Sequence, residues 1–102
     1  TECFKYVYDG APTRFADMAR AIGVANSSDS DEVAAKNFIC SCKELCETCN
    51  IPTLSGYGID LDKFHEAMPK MASDAIASGS PGNTLKDICV DDVLEIYKNL
   101  CK

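Results

Sequence analysis

The chain has 102 residues, 46% of them hydrophobic, and sets ten Lys and Arg against sixteen Asp and Glu for a formal charge of −6. That length holds a modest core and is short for a self-contained dinucleotide-dependent enzyme. The negative balance disfavours nucleic acid and anionic membrane surfaces as partners, because both are polyanions.

No apolar run approaches the ~20 residues needed to cross a bilayer. The opening "TECFKYVYDG" has neither the basic nor the apolar region of a secretion signal. It also lacks an initiator Met, so the chain is expected to be processed or cut from a longer protein. Seven cysteines, an odd number, do not pair into a small secreted scaffold, and a reducing cytoplasmic setting fits them better.

Phe4 to Tyr8, "FKYVY", reads as the tail of a helix, although the pattern alone fits a strand equally well. From Pro12, "PTRFADMARAIG" places Phe15, Met18, Ala19 and Ile22 at i, i+3, i+4 and i+7. Pro12 stands near the first turn and Gly23 at the stop, which predicts a short amphipathic helix with those four residues inward. The polar loop "NSSDSDE", Asn26 to Glu32, supplies Ser30 as a cap for the next helix, while Asp31 and Glu32 complement its positive end. That helix is expected to run to about Cys49, with Asn50 in the left-handed stop position and Pro52 preventing continuation.

"IPTLSGYGID", Ile51 to Asp60, reads as a loop because Pro, Ser and two glycines punctuate it. Asp60 is the expected N-cap of "LDKFHEAM". Pro69 disfavours helical geometry in the residue before it, which predicts two helices with a bend. The second, Pro69 to Ser78, carries the small inward set Ala72, Ala75 and Ile76. "GSPGN", Gly79 to Asn83, is a break. The last helix, Val90 to Leu100, presents Val93, Leu94, Tyr97 and Leu100 inward, with Asp91 and Asp92 at its start and Lys98 and Lys102 at its end. With no internal repeat and no strand pair, residues 1–102 read as a single all-α domain of five to six short helices in a compact bundle.

Four cysteines lie within "CSCKELCETC", Cys40 to Cys49. Thiolates are what zinc and iron–sulfur clusters use, and Cys46 and Cys49 form a C-x-x-C. On a helix, however, Cys42 and Cys49 stand roughly 10 Å apart along the axis. Two sulfurs on one zinc are at most about 4.6 Å apart. Ala35, Ile39, Cys42, Cys46 and Cys49 instead fall at steps of 4, 3, 4 and 3, one helical face, so packing as small hydrophobes is preferred to a metal site. A redox pair is disfavoured because it lies at the wrong end of the helix dipole.

His65 is the sole histidine and sits on a helix beside Glu66, so neither a Ser–His–Asp triad nor a multi-histidine metal site can be built from it. "GSPGN" follows a helix and lacks a following Lys-Ser/Thr, which excludes a P-loop. Asp60 with Asp62, and Asp91 with Asp92, open helices and are expected to serve there as caps and dipole partners.

"ELCETCNIPTLSGYGID", then "ASGSPGN", then "VDDVLEIYKNL", in that order and spacing and preceded by "APTRFADMARAIGV", resembles the C-terminal end of the iron-containing (group III) alcohol dehydrogenases over nearly the whole chain. The resemblance implies a two-domain parent, with an N-terminal dinucleotide-binding domain as this chain's partner. It also implies NAD(P) and a divalent metal, Fe or Zn, in the cleft between the domains, where hydride moves between the nicotinamide and an aldehyde or ketone. The family's metal ligands, an Asp and three His, and its glycine-rich cofactor loops lie upstream of the matching region. No catalytic, cofactor or metal residue is therefore expected in this chain.

What carries over is the substrate-cleft loop, Gly79, Ser80, Pro81, Gly82 and Asn83. The family usually continues with Asn-Pro-Arg, where this chain has Thr84, Leu85 and Lys86. Cys42 and Cys49 stand where the family is commonly aliphatic, and Cys89 where Ser or Thr normally caps the last helix. The expectation is a C-terminal fragment that completes the parent's cleft, is inactive alone, and tends to form a homodimer. The alternatives are a free-standing helical module binding metal through Cys40, Cys42, Cys46 and Cys49, or a helical partner-binding domain.

Overall fold

A computed structural model describes residues 1–101. Lys102, expected at the end of the last helix, lies outside them. The described residues form six α-helices and no strand: α1 (Glu2–Val7), α2 (Pro12–Ala21), α3 (Asp31–Thr48), α4 (Leu54–Tyr57), α5 (Leu61–Ala77) and α6 (Val90–Leu100). Short 3₁₀ turns cover Tyr8–Gly10 and Ser80–Asn83. The all-α reading and its five to six helices hold. The backbone gathers into two units that meet in sequence between Ile51 and Pro52.

In the first unit, α2 packs on α3 through alanine. Ala16, Ala19 and Ala34 are fully buried and form one cluster, with Val24, Ala25 and Phe38 packed against it. A methyl is the smallest side chain that still excludes water, so the two backbones approach closely along this seam. Phe15 and Ile39 extend the core with 7% and 5% of their surface exposed. Phe4, Phe15 and Phe38 make three mutual ring contacts with centroids 5.5 to 6.0 Å apart, which is how α1, with no buried residue of its own, attaches.

The seam corrects the expected inner face of α2. Met18 and Ile22 are 40% and 55% exposed, while Ala16 takes the buried place. Phe15 and Ala19 are buried as the spacing predicts, so the buried face is rotated rather than reversed. Close approach of two helices is decided by the small residues.

The α2–α3 loop is held by Arg20. Its Nη1 and Nη2 both donate to Asp31 Oδ1 at 3.1 Å, Nη2 donates to the Asp29 carbonyl at 2.8 Å and Nε to the Asn26 carbonyl at 3.3 Å. Thr13 Oγ1 donates to the other Asp31 oxygen at 2.9 Å. One guanidinium thus ties the end of α2 to the start of α3, using the planar donor fork that a lysine lacks. Ser30 caps α3 as expected, accepting from the Val33 N–H at 3.3 Å. At the far end Asn50 adopts φ 56°, and the Ile51 and Asn50 N–H groups bond back to Cys46 and Glu47. This Schellman closure is the stop the sequence implied.

The second unit departs from expectation at two places. Leu54–Tyr57 is a helical turn, not a loop. Thr53 Oγ1 accepts from the Gly56 N–H at 3.0 Å, and Gly58 at φ 95° closes the other end. Pro69, expected to break the chain into two helices, lies inside the continuous α5. A proline costs a helix the bond to the carbonyl four residues back, here that of His65. Both residues are exposed, so water can satisfy that carbonyl, while buried Met68 and Ala72 pin the helix on either side.

Asp60 caps α5 as read, its Oδ1 accepting from the Asp62 and Lys63 N–H groups. Ala72 is fully buried, and Ala75 and Ile76 are half-buried. On α6 the buried residues are Val93 and Ile96, with Leu94 and Tyr97 half-buried. Ile96 was missing from the expected face, and Leu100, expected inward, is 37% exposed on the last turn. Phe64 and Tyr97 join α5 to α6 edge to face at 5.9 Å.

The Thr13 hydroxyl, first, and the Arg20 guanidinium hold the Asp31 carboxyl below its ordinary range. A carboxyl with a lowered folded-state pKa stabilises the fold fully above its unfolded value of about 3.9, and this contribution is lost as pH falls through the lower folded value. Thr13→Val should therefore raise the Asp31 pKa in a carboxyl-carbon NMR titration and move acid unfolding to higher pH. An unchanged Asp31 titration would disprove the assignment.

Candidate functional site

The loop Gly79 to Asn83 follows α5 directly. Gly79 adopts φ 79°, the left-handed region in which a Cβ is strained, so glycine is needed there for its backbone. The Gly79 N–H returns to the Ile76 carbonyl at 3.1 Å and the Gly82 N–H to the Gly79 carbonyl at 3.2 Å. Ser78 joins helix to loop: its hydroxyl donates to the Ala75 carbonyl at 2.6 Å and accepts from the Ser80 N–H at 3.3 Å. Pro81 enters the 3₁₀ turn as its second residue with φ already fixed.

The five residues are thereby set side by side. Gly79, Ser80, Gly82 and Asn83 are exposed, and Pro81 is half-buried. A Cβ built on Gly82 would meet no atom within 4 Å, so its surface is open to approach from outside. The exit is fixed by Thr84, whose hydroxyl lies 2.7 Å from the Lys86 carbonyl and 3.2 Å from that of Pro81. Beyond it, Asp92 accepts from the Cys89 N–H at 2.8 Å, one half of a capping box at the start of α6.

The cysteine face is only partly a core stripe. Ala35 and Ile39 are buried, Cys42 and Cys46 are half-buried, and Cys49 is exposed, as is Cys40. The expected burial of Cys49 fails because it lies at the C-cap, past the last turn of α3. All seven thiols are free. Since α3 is unbroken through Thr48, Cys42 and Cys49 cannot share one ion. His65 is exposed on α5. Among the described residues, no three His, Cys, Asp or Glu come together so as to hold a metal, and no chemical step is assigned to a metal here.

The model of the Fe-containing alcohol dehydrogenase family, C-terminal, matches residues 1–101. The chain belongs to that family, as its C-terminal region. It is also similar to a choline dehydrogenase of Bacillus subtilis (strain 168), with 30% identity over 77 residues, 76% of this chain and 19% of that protein. The chain thus spans about a fifth of that relative's length. No solved structure matches it. Among the described residues, no helix is long and apolar enough to cross a membrane.

Gly79→Ala should destabilise the fold by ~1 kcal/mol, because a Cβ is strained in the left-handed region. Gly82→Ala should have little effect, because nothing lies within reach of its new methyl. Equal denaturant midpoints for the two variants would contradict this assignment of backbone roles.

Proposed function

We propose that this chain is the C-terminal all-α domain of a longer, two-domain, iron-dependent and NAD(P)-linked alcohol dehydrogenase. The observation that carries this reading is the family match from residue 1 to residue 101. In it, the partner is the parent's N-terminal dinucleotide-binding domain, which supplies the nucleotide site and the metal ligands. This chain supplies the wall that bears Gly79, Ser80, Pro81, Gly82 and Asn83. The free thiols suit a reducing, cytoplasmic setting.

The chemistry this wall can contribute is positioning. An exposed turn with fixed backbone and small side chains lets a substrate or a neighbouring domain come close to the main chain. Hydride transfer itself would belong to nicotinamide and metal held by the other domain. That metal would act as a Lewis acid on the carbonyl or alkoxide oxygen.

The test pairs the 102-residue chain alone with the same chain joined to its upstream coding region. Alcohol-dependent reduction of NAD(P) is expected only from the longer protein, and Gly82→Phe there should raise KM more than it lowers kcat. Turnover by the short chain alone would defeat the reading.

Several large apolar side chains are open to water, among them Leu45, Ile51 and Tyr57 at 63%, 62% and 75% exposure. On this reading the surface that meets the N-terminal domain in the parent is left bare in the isolated chain, which should therefore self-associate, as a homodimer at the lowest order. Sedimentation equilibrium is expected to give a mass above that of the monomer. A clean monomer at high concentration would refute this.

A further inference from the structure

Cys42 and Cys46 are the one pair of cysteines in this sequence spaced four apart. Both lie within the unbroken α3, and both are half-buried. Residues at i and i+4 on a helix stand one above the other, with Cβ atoms about 5–6 Å apart. A metal–sulfur bond of ~2.3 Å lets one ion join two sulfurs up to about 4.6 Å apart, a span that side-chain rotation at this spacing can reach. Thr1 Oγ1 lies 3.9 Å from Cys46 Sγ and places the start of the chain beside the pair.

We propose that Cys42 and Cys46 form a two-thiolate site for monovalent copper, independent of the alcohol dehydrogenase reading. Zinc in a structural site asks for four ligands, and no third group joins these two to hold a metal among the described residues. Thiolates select soft cations, and copper(I) among them is satisfied by two. Cys40 is two residues from Cys42 and so on another side of the helix, and Cys49 is exposed beyond the last helical residue. On binding, two S–H bonds release their protons to solvent and two Cu–S bonds form. The ion stays Cu(I), so no electron moves.

The test is anaerobic titration of the reduced chain with Cu(I) against a chromogenic Cu(I) chelator. One ion per chain is expected, with affinity weakened at least roughly tenfold in Cys42→Ser and in Cys46→Ser and unchanged in Cys40→Ser and Cys49→Ser. Undiminished binding in Cys42→Ser or Cys46→Ser, or displacement of copper by equimolar zinc, would overturn the proposal. Because a serine can loosen α3, helical circular dichroism is recorded for each variant. The unmutated chain is also treated with dibromobimane, which fluoresces on bridging two neighbouring thiols. Peptide mapping should find the bridge between Cys42 and Cys46, and its absence there would equally overturn the site.

Discussion

The first unit depends on the seam of Ala16, Ala19 and Ala34, none of which exposes any surface. Alanine contributes little burial energy by itself, because a methyl removes little apolar area from water. Its effect is geometric. By letting the α2 and α3 backbones come close, it brings the larger Phe15, Phe38 and Ile39 into a shared interior. It also brings the end of α2 near enough to the start of α3 for Arg20 to reach Asp31 at 3.1 Å. A bulkier residue on the seam would have to push the helices apart, at a typical cost of about 1–3 kcal/mol for overpacking, and would lengthen those ionic contacts.

Outside the seam, order is imposed mainly at helix ends. Gly23, Asn50, Gly58 and Gly79 all take positive φ, and each stands just beyond a helix. Short helices need such closures because a large fraction of their backbone groups are terminal and lack partners within the helix. α4, four residues long, shows the extreme. It exists between a threonine that accepts from Gly56 and a glycine that ends it, with no buried residue at all.

These closures explain what the sequence revealed and what it hid. Ser30, Asp60, Asn50 and Gly23 could be read from residue type, since the chemistry of a cap is local. Continuity through Pro69 could not, because it depends on Met68 and Ala72 finding tertiary partners on both sides of the ring. The inner face of α2 departs from the expected one for a related reason: hydrophobic spacing marks a stripe, while the buried face is decided by how close α3 can come. The fading of the cysteine stripe toward Cys49 is likewise tertiary, since spacing identifies a helical face but not where its cover ends. Ile96 is legible in the sequence, because Val93, Ile96 and Leu100 keep the helical spacing of the expected face.

The loop that sequence resemblance marks as a substrate-cleft loop is held by local chemistry. Where the family usually has Asn-Pro-Arg, this chain has Thr84, Leu85 and Lys86. The Thr84 hydroxyl bonds locally, to the carbonyls of Pro81 and Lys86, and Leu85 is left 58% exposed. A hydroxyl engaged with the backbone holds the loop's exit in place of reaching outward. Within the turn itself, Gly79, Ser80, Gly82 and Asn83 also face water. Of these, Gly79 is fixed by its backbone angle, whereas Gly82 is free of any steric need. The two glycines therefore differ in kind: position 79 needs glycine for its backbone angle, whereas position 82 has room for a side chain, so only the first is dictated by the fold itself.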